Sequence, residues 1–234
     1  MKTIGLIGGM SWESSLEYYR LLNQITKRKL GEPHSAELIM YSVDFARFEK
    51  MQHKGQWDRM ETEMLEIARK LKAAGAELLL ICTNTMHKLA PAIENQVEIE
   101  LIHIADATGI EIINQNIDTV GLLGTNFTMT EDFYKARLKN RHNIDVIIPE
   151  KSQREIIHDI IYKELISGII KEESLNKFQK IIKDLQQKGA EGVILGCTEI
   201  PLLVKEEDSS LPIFNTMEIH ARMAIKLALS NLSY

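Results

Sequence analysis

Gly75-Ala76-Glu77-Leu78-Leu79-Leu80-Ile81-Cys82-Thr83-Asn84-Thr85 and Gly189-Ala190-Glu191-Gly192-Val193-Ile194-Leu195-Gly196-Cys197-Thr198-Glu199 are the two stretches whose comparison decides the fold. Each opens on Gly-Ala-Glu, runs through a short apolar block with strand character and ends in a polar run. They lie 114 residues apart. A second pair, Ile4-Gly5-Leu6-Ile7-Gly8-Gly9 and Val120-Gly121-Leu122-Leu123-Gly124-Thr125, lies 116 residues apart, in the same order. Two matching segments at nearly one offset mark an internal duplication. Aligned without gaps, Thr83 falls opposite Cys197, Cys82 opposite Gly196, and Thr125 opposite the Gly8-Gly9 turn.

Outward from these segments, short apolar runs alternate with longer amphipathic stretches. Strands are expected over Thr3–Ile7, Glu37–Val43, Glu77–Cys82, Glu100–Ile104, Thr119–Leu123, Asp145–Ile148, Gly192–Leu195 and Leu211–Phe214. Helices are expected over Ser14–Lys29, Trp57–Ala74, Ile110–Gln115, Thr130–Lys139, Gln153–Glu164, Ser174–Lys188 and Glu218–Ser230. Met64, Leu65, Ile67, Ala68 and Leu71 recur at helical spacing. Gly75 and Gly189 stand just past helical stretches, where a left-handed cap favours glycine. Such alternation argues for parallel sheet covered by helices. The chain is therefore expected to be an α/β protein of two pseudo-symmetric lobes, each a mainly parallel sheet flanked by helices. Residues 1–100 and about 213–234 would form the first lobe, and about 101–212 the second. Open α/β sheets take ligands beyond the carboxyl ends of their strands, so the active site is expected in the cleft between the lobes.

Composition excludes several other classes. The 234 residues are 44% apolar and 26% charged, enough apolar content to bury two small cores. The net charge of −5, with no basic block, argues against a nucleic-acid partner. No apolar run approaches the length of a membrane span. The apolar run after Met1 breaks at Gly8-Gly9 and reads as a first strand and turn rather than a leader. Two cysteines do not make a disulfide framework, and free thiols suit a reducing, cytoplasmic setting. The seven histidines show no compact metal-ligand spacing, so no metal is expected.

The residues suited to chemistry cluster at the ends of the duplicated strands. Cys197, in Gly196-Cys197-Thr198-Glu199, reads as a thiol base or nucleophile at a strand end. Gly196 would leave room for a ligand, and the polar residues that follow argue against deep burial. Thr83, Asn84 and Thr85 offer hydroxyls, an amide and backbone N–H groups that cap a helix or hold a carboxylate. Successive strand residues face opposite ways, so Cys82 and Thr83 should not share a face. The repeat selects Thr83 and leaves Cys82 in the core. The Gly8-Gly9-Met10-Ser11 turn matches neither a dinucleotide fingerprint nor a P-loop, though its N–H groups could meet a small anion. His87, four residues after Thr83, suits capping or packing.

These residues resemble the aspartate/glutamate racemase family, which works without pyridoxal phosphate. The resemblance runs along essentially the whole chain. It rests on Gly5–Ser11, Thr83-Asn84-Thr85-Met86-His87, His103-Ile104-Ala105-Asp106, Leu123-Gly124-Thr125 and Gly196-Cys197-Thr198-Glu199-Ile200. It implies two α/β lobes, no cofactor, a homodimer and a small amino-acid substrate. It also implies a reaction in which one group removes the α-proton while another returns a proton to the opposite face. The usual first motif is Cys-Asn-Thr; here it is Thr83-Asn84-Thr85, with Cys82 out of register. The resemblance gives Thr83 and Cys197 the catalytic roles, with Cys197 serving the L-enantiomer. It gives substrate contacts to Met10, Gln52, Asn84, Thr85, Thr125 and Thr198. An aliphatic hydroxyl is a far weaker acid than a thiol, so turnover from the D side is expected to be slower. Neither Arg47 nor Lys163 matches a motif that would assign it a substrate contact. Two other readings stand beside the racemase. A relative with one cleft thiol can be a decarboxylase of disubstituted malonates, and two lobes around a cleft also describe a non-catalytic amino-acid-binding protein.

Overall fold

Each Gly-Ala-Glu-led run becomes a fully buried inner strand of a four-stranded parallel sheet. The computed structural model describes residues 1–230, in two units: Met1–Ile104 with the segment from His220, and Ala105–Ile219. The first unit contains, in order, β1 (Ile4–Gly8), α1 (Trp12–Leu30), β2 (Leu38–Ser42), α2 (Phe45–His53), α3 (Trp57–Ala73), β3 (Leu78–Ile81), a 3-10 turn (Thr85–Leu89), α4 (Ala90–Gln96) and β4 (Glu100–Leu101). The second begins with α5 (Ile104–Asn114) and continues through β5 (Thr119–Gly124), α6 (Asn126–Thr130), α7 (Asp132–His142), β6 (Asp145–Ile147), α8 (Lys151–Lys163), α9 (Glu172–Gln187), β7 (Gly192–Gly196), α10 (Ile200–Leu203) and β8 (Ile213–Asn215). The closing helix, α11 (Thr216–Ala228), carries the chain back to the first unit. No helix among the described residues is long and apolar enough to cross a membrane.

The two sheets have one topology. Their strand orders are β2-β1-β3-β4 and β6-β5-β7-β8, and every ladder is parallel. In both, the first strand sits inside and the chain crosses to one side, then to the other. The inner strands read as continuous apolar runs because helices cover both faces. The registers also correspond: Ile7 lies opposite Ile81, and Leu123 opposite Leu195. The gap-free pairing of Cys82 with Gly196 and of Thr83 with Cys197 is therefore a structural equivalence.

Local contacts explain why Gly-Ala-Glu recurs. Gly75 and Gly189 take φ of +104° and +100°, which only glycine adopts without strain. Each ends its helix with the next N–H returning to an earlier carbonyl, Ala76 to Leu71 and Ala190 to Leu185. Glu77 and Glu191 then donate their N–H groups to the carbonyls of Thr3 and Thr119, which start the adjacent strands. In α3 the residues Met60, Met64, Ile67, Ala68 and Leu71 are buried on one stripe; in α9, Phe178, Ile181, Ile182 and Leu185 do the same.

Three features depart from the sequence reading. The strand expected over Glu100–Ile104 stops at Leu101, and α5 starts at Ile104 rather than Ile110. Asp106 supplies the acidic first turn of α5 and is held in place by Arg137 of α7, at 2.9 and 2.6 Å. The return to the first lobe comes later than about residue 213. Ile213–Asn215 pairs with β7 in the second sheet, so the crossing falls after Ile219. The short helices α4, α6 and α10 are too brief to show a periodicity, and α2, of nine residues, is not among the expected helices. Residues 231–234, included in the expected first lobe, lie outside the described residues.

Candidate active site

Both sheets have a topological switch between their inner strands, β1 with β3 and β5 with β7, where α/β folds bind ligands. In the first unit the segments leaving the sheet side by side are Gly9-Met10-Ser11, Val43-Asp44 and Cys82-Thr83-Asn84. They stay together because Val43 donates to the Gly8 carbonyl at 3.0 Å and Cys82 donates to that of Ile7 at 2.9 Å. Gly9 is fixed by close approach: at φ +88°, a β-carbon there would lie 2.3 Å from the Val43 oxygen. Its N–H is already engaged, donating to Ser15 Oγ at 2.7 Å. Gly9 N–H is thus not among the groups of this turn that could meet an anion. Met10 is buried in the apolar core with Val43, Phe48, Met51 and Met86. Gln52, on α2, is also buried. The helix that carries it is capped by Asp44, whose side chain accepts from Ala46 N–H.

Cys82 is 1% exposed, and burial pushes its thiol pKa far up. It sits in the core as the strand alternation requires, while Thr83 is partly exposed. Asn84 and Thr85 are buried, and Asn84 precedes the 3-10 turn without capping it through its side chain. His87 reaches back from that turn, with Nδ1 2.7 Å from the Thr83 carbonyl oxygen.

In the second unit the last register pair is Gly124 with Gly196, followed by Thr125 on one strand and Cys197 on the other. The two glycines permit close approach. A β-carbon on Gly196 would meet Leu122 at 2.9 Å and the Leu123 oxygen at 3.0 Å. Gly196 therefore accommodates packing rather than leaving space for a ligand. Thr125 caps α6, its hydroxyl 3.4 Å from Thr128 N.

Cys197 is 8% exposed, and Thr198 and Glu199 are each 7% exposed, so the expectation that the polar pair keeps the thiol near solvent does not hold. The polar groups satisfy one another instead. The Glu199 carboxylate turns back, and its Oε2 accepts from Cys197 Sγ at 2.9 Å and from Thr198 Oγ1 at 2.8 Å. Burial, the negative charge of Glu199 and donation to its carboxylate together hold the thiol well above the ordinary range; the backbone N–H groups of Glu199 and Thr198 act the other way. The helix that follows, α10, is four residues long and brings no macrodipole large enough to offset this. The resting residue is a thiol with its proton acceptor in place. Glu199→Gln removes both the charge and the anionic acceptor, so pH-dependent alkylation of Cys197 by iodoacetamide is expected to move to lower pH. An unchanged or higher midpoint would count against this account of the site.

Glu199 is a candidate site residue that the sequence left unassigned; an acid two residues after a thiol is the signal that could have found it. Arg47 and Lys163 stay at the surface, paired with Glu63 at 2.6 Å and Asp159 at 2.8 Å. Among the described residues no group of three or more His, Cys, Asp or Glu side chains is arranged to hold a metal ion.

Comparison with known proteins follows the same lines. The family model described as Asp/Glu/hydantoin racemase matches residues 7–224. The structure of a candidate Asp/Glu racemase from Yersinia pestis is 50% identical, with a TM-score of 0.93 over 98% of this chain and 100% of that one. An aspartate racemase homologue from Pyrococcus horikoshii is 37% identical, with a TM-score of 0.86 over 97% and 99% of the two chains. A broad specificity amino-acid racemase of Bacillus subtilis is 21% identical over 97% of this chain and 98% of its own length.

Proposed function

Because this chain belongs to the Asp/Glu/hydantoin racemase family, we propose that it is a cofactor-independent amino-acid racemase acting on aspartate or glutamate and biased toward the L-enantiomer. The observation that carries the reading is the equivalence of Thr83 and Cys197 at matching strand ends, with a carboxylate seated on the thiol. The reaction requires both residues to act on one α-carbon. From the L-enantiomer, the Cys197 sulfur takes the α-proton: the C–H bond breaks, an S–H bond forms, and the electron pair moves toward the α-carboxylate. Thr83 then delivers a proton to the opposite face, from its hydroxyl or through a water. For Cys197 to act as base its own proton must first leave, and the acceptor at hand is Glu199 Oε2. A bound α-ammonium group would favour the thiolate by its charge. Asn84, Thr85, Thr125 and Thr198, with Gln52 and Met10, are the proposed substrate contacts. Hydroxyls, amides and N–H groups among them suit a carboxylate whose charge grows in the transition state.

The test is incubation with each enantiomer of aspartate and glutamate in deuterium oxide, without cofactor, read by NMR and chiral chromatography. Deuteration and inversion are both expected, with deuteration at retained configuration faster from the L side. No exchange from any of the four would overturn the reading. Decarboxylation of a disubstituted malonate in its place would favour the single-thiol decarboxylase.

The proposal extends to assembly and setting. Trp12, Leu16 and Tyr19 share one face of α1 and are 64%, 58% and 52% exposed. Met40, on edge strand β2, lies on the same side of the sheet: both it and Ser15 of α1 approach Gly8. An apolar stripe of this kind supports a homodimer. Light scattering is expected to give about twice 26.7 kDa, and a Trp12→Glu, Leu16→Glu variant to give the monomer. A wild-type monomer at micromolar concentration would contradict it. The two free cysteines support a cytoplasmic location.

A further inference from the structure

We infer that His87 is a positioning residue for Thr83, fixing the backbone from which the second proton transfer is made. The inference rests on the racemase reading and adds a residue to it. His87 is 1% exposed, and its two ring nitrogens face opposite kinds of partner. A carbonyl can only accept, so Nδ1 carries the proton toward the Thr83 oxygen at 2.7 Å. A backbone N–H can only donate, so Nε2 accepts from Ile104 at 3.2 Å. The ring is therefore neutral and in one tautomer. It spans from the strand end that holds Thr83 to the first residue of α5.

The far end of that span is anchored in turn. His220 donates from Nε2 to the Ile102 carbonyl at 2.7 Å, and its Nδ1 accepts from the Tyr18 hydroxyl at 2.8 Å. Burial lowers the pKa of His220 to about 4, which keeps this second ring neutral as well. His87 and His220 lie 5.7 Å apart, ring to ring. Thr83 follows a strand of four residues and precedes a 3-10 turn, so neither element alone fixes its backbone. The Nδ1–H bond supplies that restraint.

Removing the restraint should spare the Cys197 half of the reaction and damage the Thr83 half. Two rates from the L-enantiomer in deuterium oxide separate them: α-deuteration with retention, which needs Cys197 alone, and inversion, which needs both residues. In His87→Ala the ratio of inversion to exchange is expected to fall about tenfold, with exchange itself changed less than about threefold. The side-chain nitrogen of asparagine overlays Nδ1 and that of glutamine overlays Nε2. His87→Asn should therefore keep the ratio, and His87→Gln should lose it. Thr26→Val, which removes a buried hydroxyl of the same unit outside this group, should leave the ratio unchanged. The Asn and Gln pair decides the matter even if the alanine variant does not fold. Wild-type inversion with a ratio unmoved in folded variants, or lowered equally by Thr26→Val, overturns the inference alone. Absence of any wild-type exchange overturns the racemase reading and this inference with it.

Discussion

Cys197→Ser is expected to remove both α-deuteration and inversion of L-aspartate and L-glutamate, by about 10³-fold or more, while the melting temperature stays within a few degrees of wild type. The magnitude follows from the role. A positioned acid–base group contributes about 10² to 10⁴ in rate, and a serine hydroxyl ionises far less readily than a thiol. Stability should hold because serine keeps a donor for Glu199 Oε2, which now accepts from both Sγ and Thr198 Oγ1. The position is buried, and the two residues differ by little volume. Turnover within tenfold of wild type would show that another group takes the α-proton. A collapse of stability would show that Cys197 chiefly packs the second unit.

Thr83→Cys is expected to have the opposite sign on one side only. Supplying a thiol where a hydroxyl stands gives the D-enantiomer a competent base, and α-deuteration of the D-enantiomer with retention, which needs position 83 alone, should rise by about 10²-fold. Deuteration of the L-enantiomer with retention should change much less, so the two exchange rates approach equality. The equilibrium between free enantiomers cannot move, and it holds kcat/KM for inversion equal from the two sides, so the asymmetry is read in the exchange rates and in kcat and KM separately. The bond from His87 survives the substitution because it is made to the Thr83 carbonyl, not to its side chain. Cys82 beside it stays in the core with its thiol pKa driven far up by burial, so it does not compete. Parallel rate measurements on both enantiomers provide the check. D-side exchange that stays flat while D-substrate still binds would exclude position 83 as the second proton carrier.

The sequence carried the architecture well because its signals are repeated. All eight expected strands are present, and the two registers reproduce the gap-free alignment of the repeat. Burial of inner strands between helices imposes long apolar runs, which composition displays directly. The site was harder to read. Short helices such as α10 span about one turn and leave no periodicity. Glu199 looked like a residue that would draw Cys197 toward water, yet its carboxylate is satisfied by its immediate neighbours and is buried with them. A polar residue can be buried wherever its partners are supplied locally, and residue type alone does not report that. His87 was readable as a packing residue because four residues span one helical turn. Its second partner, Ile104, lies 17 positions away and belongs to a helix start that the apolar run of Glu100–Ile104 obscured.

The chain's path also sets an order of manufacture. The second unit is one uninterrupted stretch, Ala105–Ile219, whereas the first is assembled from both ends of the chain. As the protein leaves the ribosome, residues 105–219 are complete while the first unit still lacks its closing helix. Tyr18 and Ile102 must wait for His220, and the N–H of Lys2 waits for the carbonyl of Ala228 at 2.9 Å. The half of the protein translated first is thus the half finished last, and its exposed core is what a nascent-chain chaperone would find to hold.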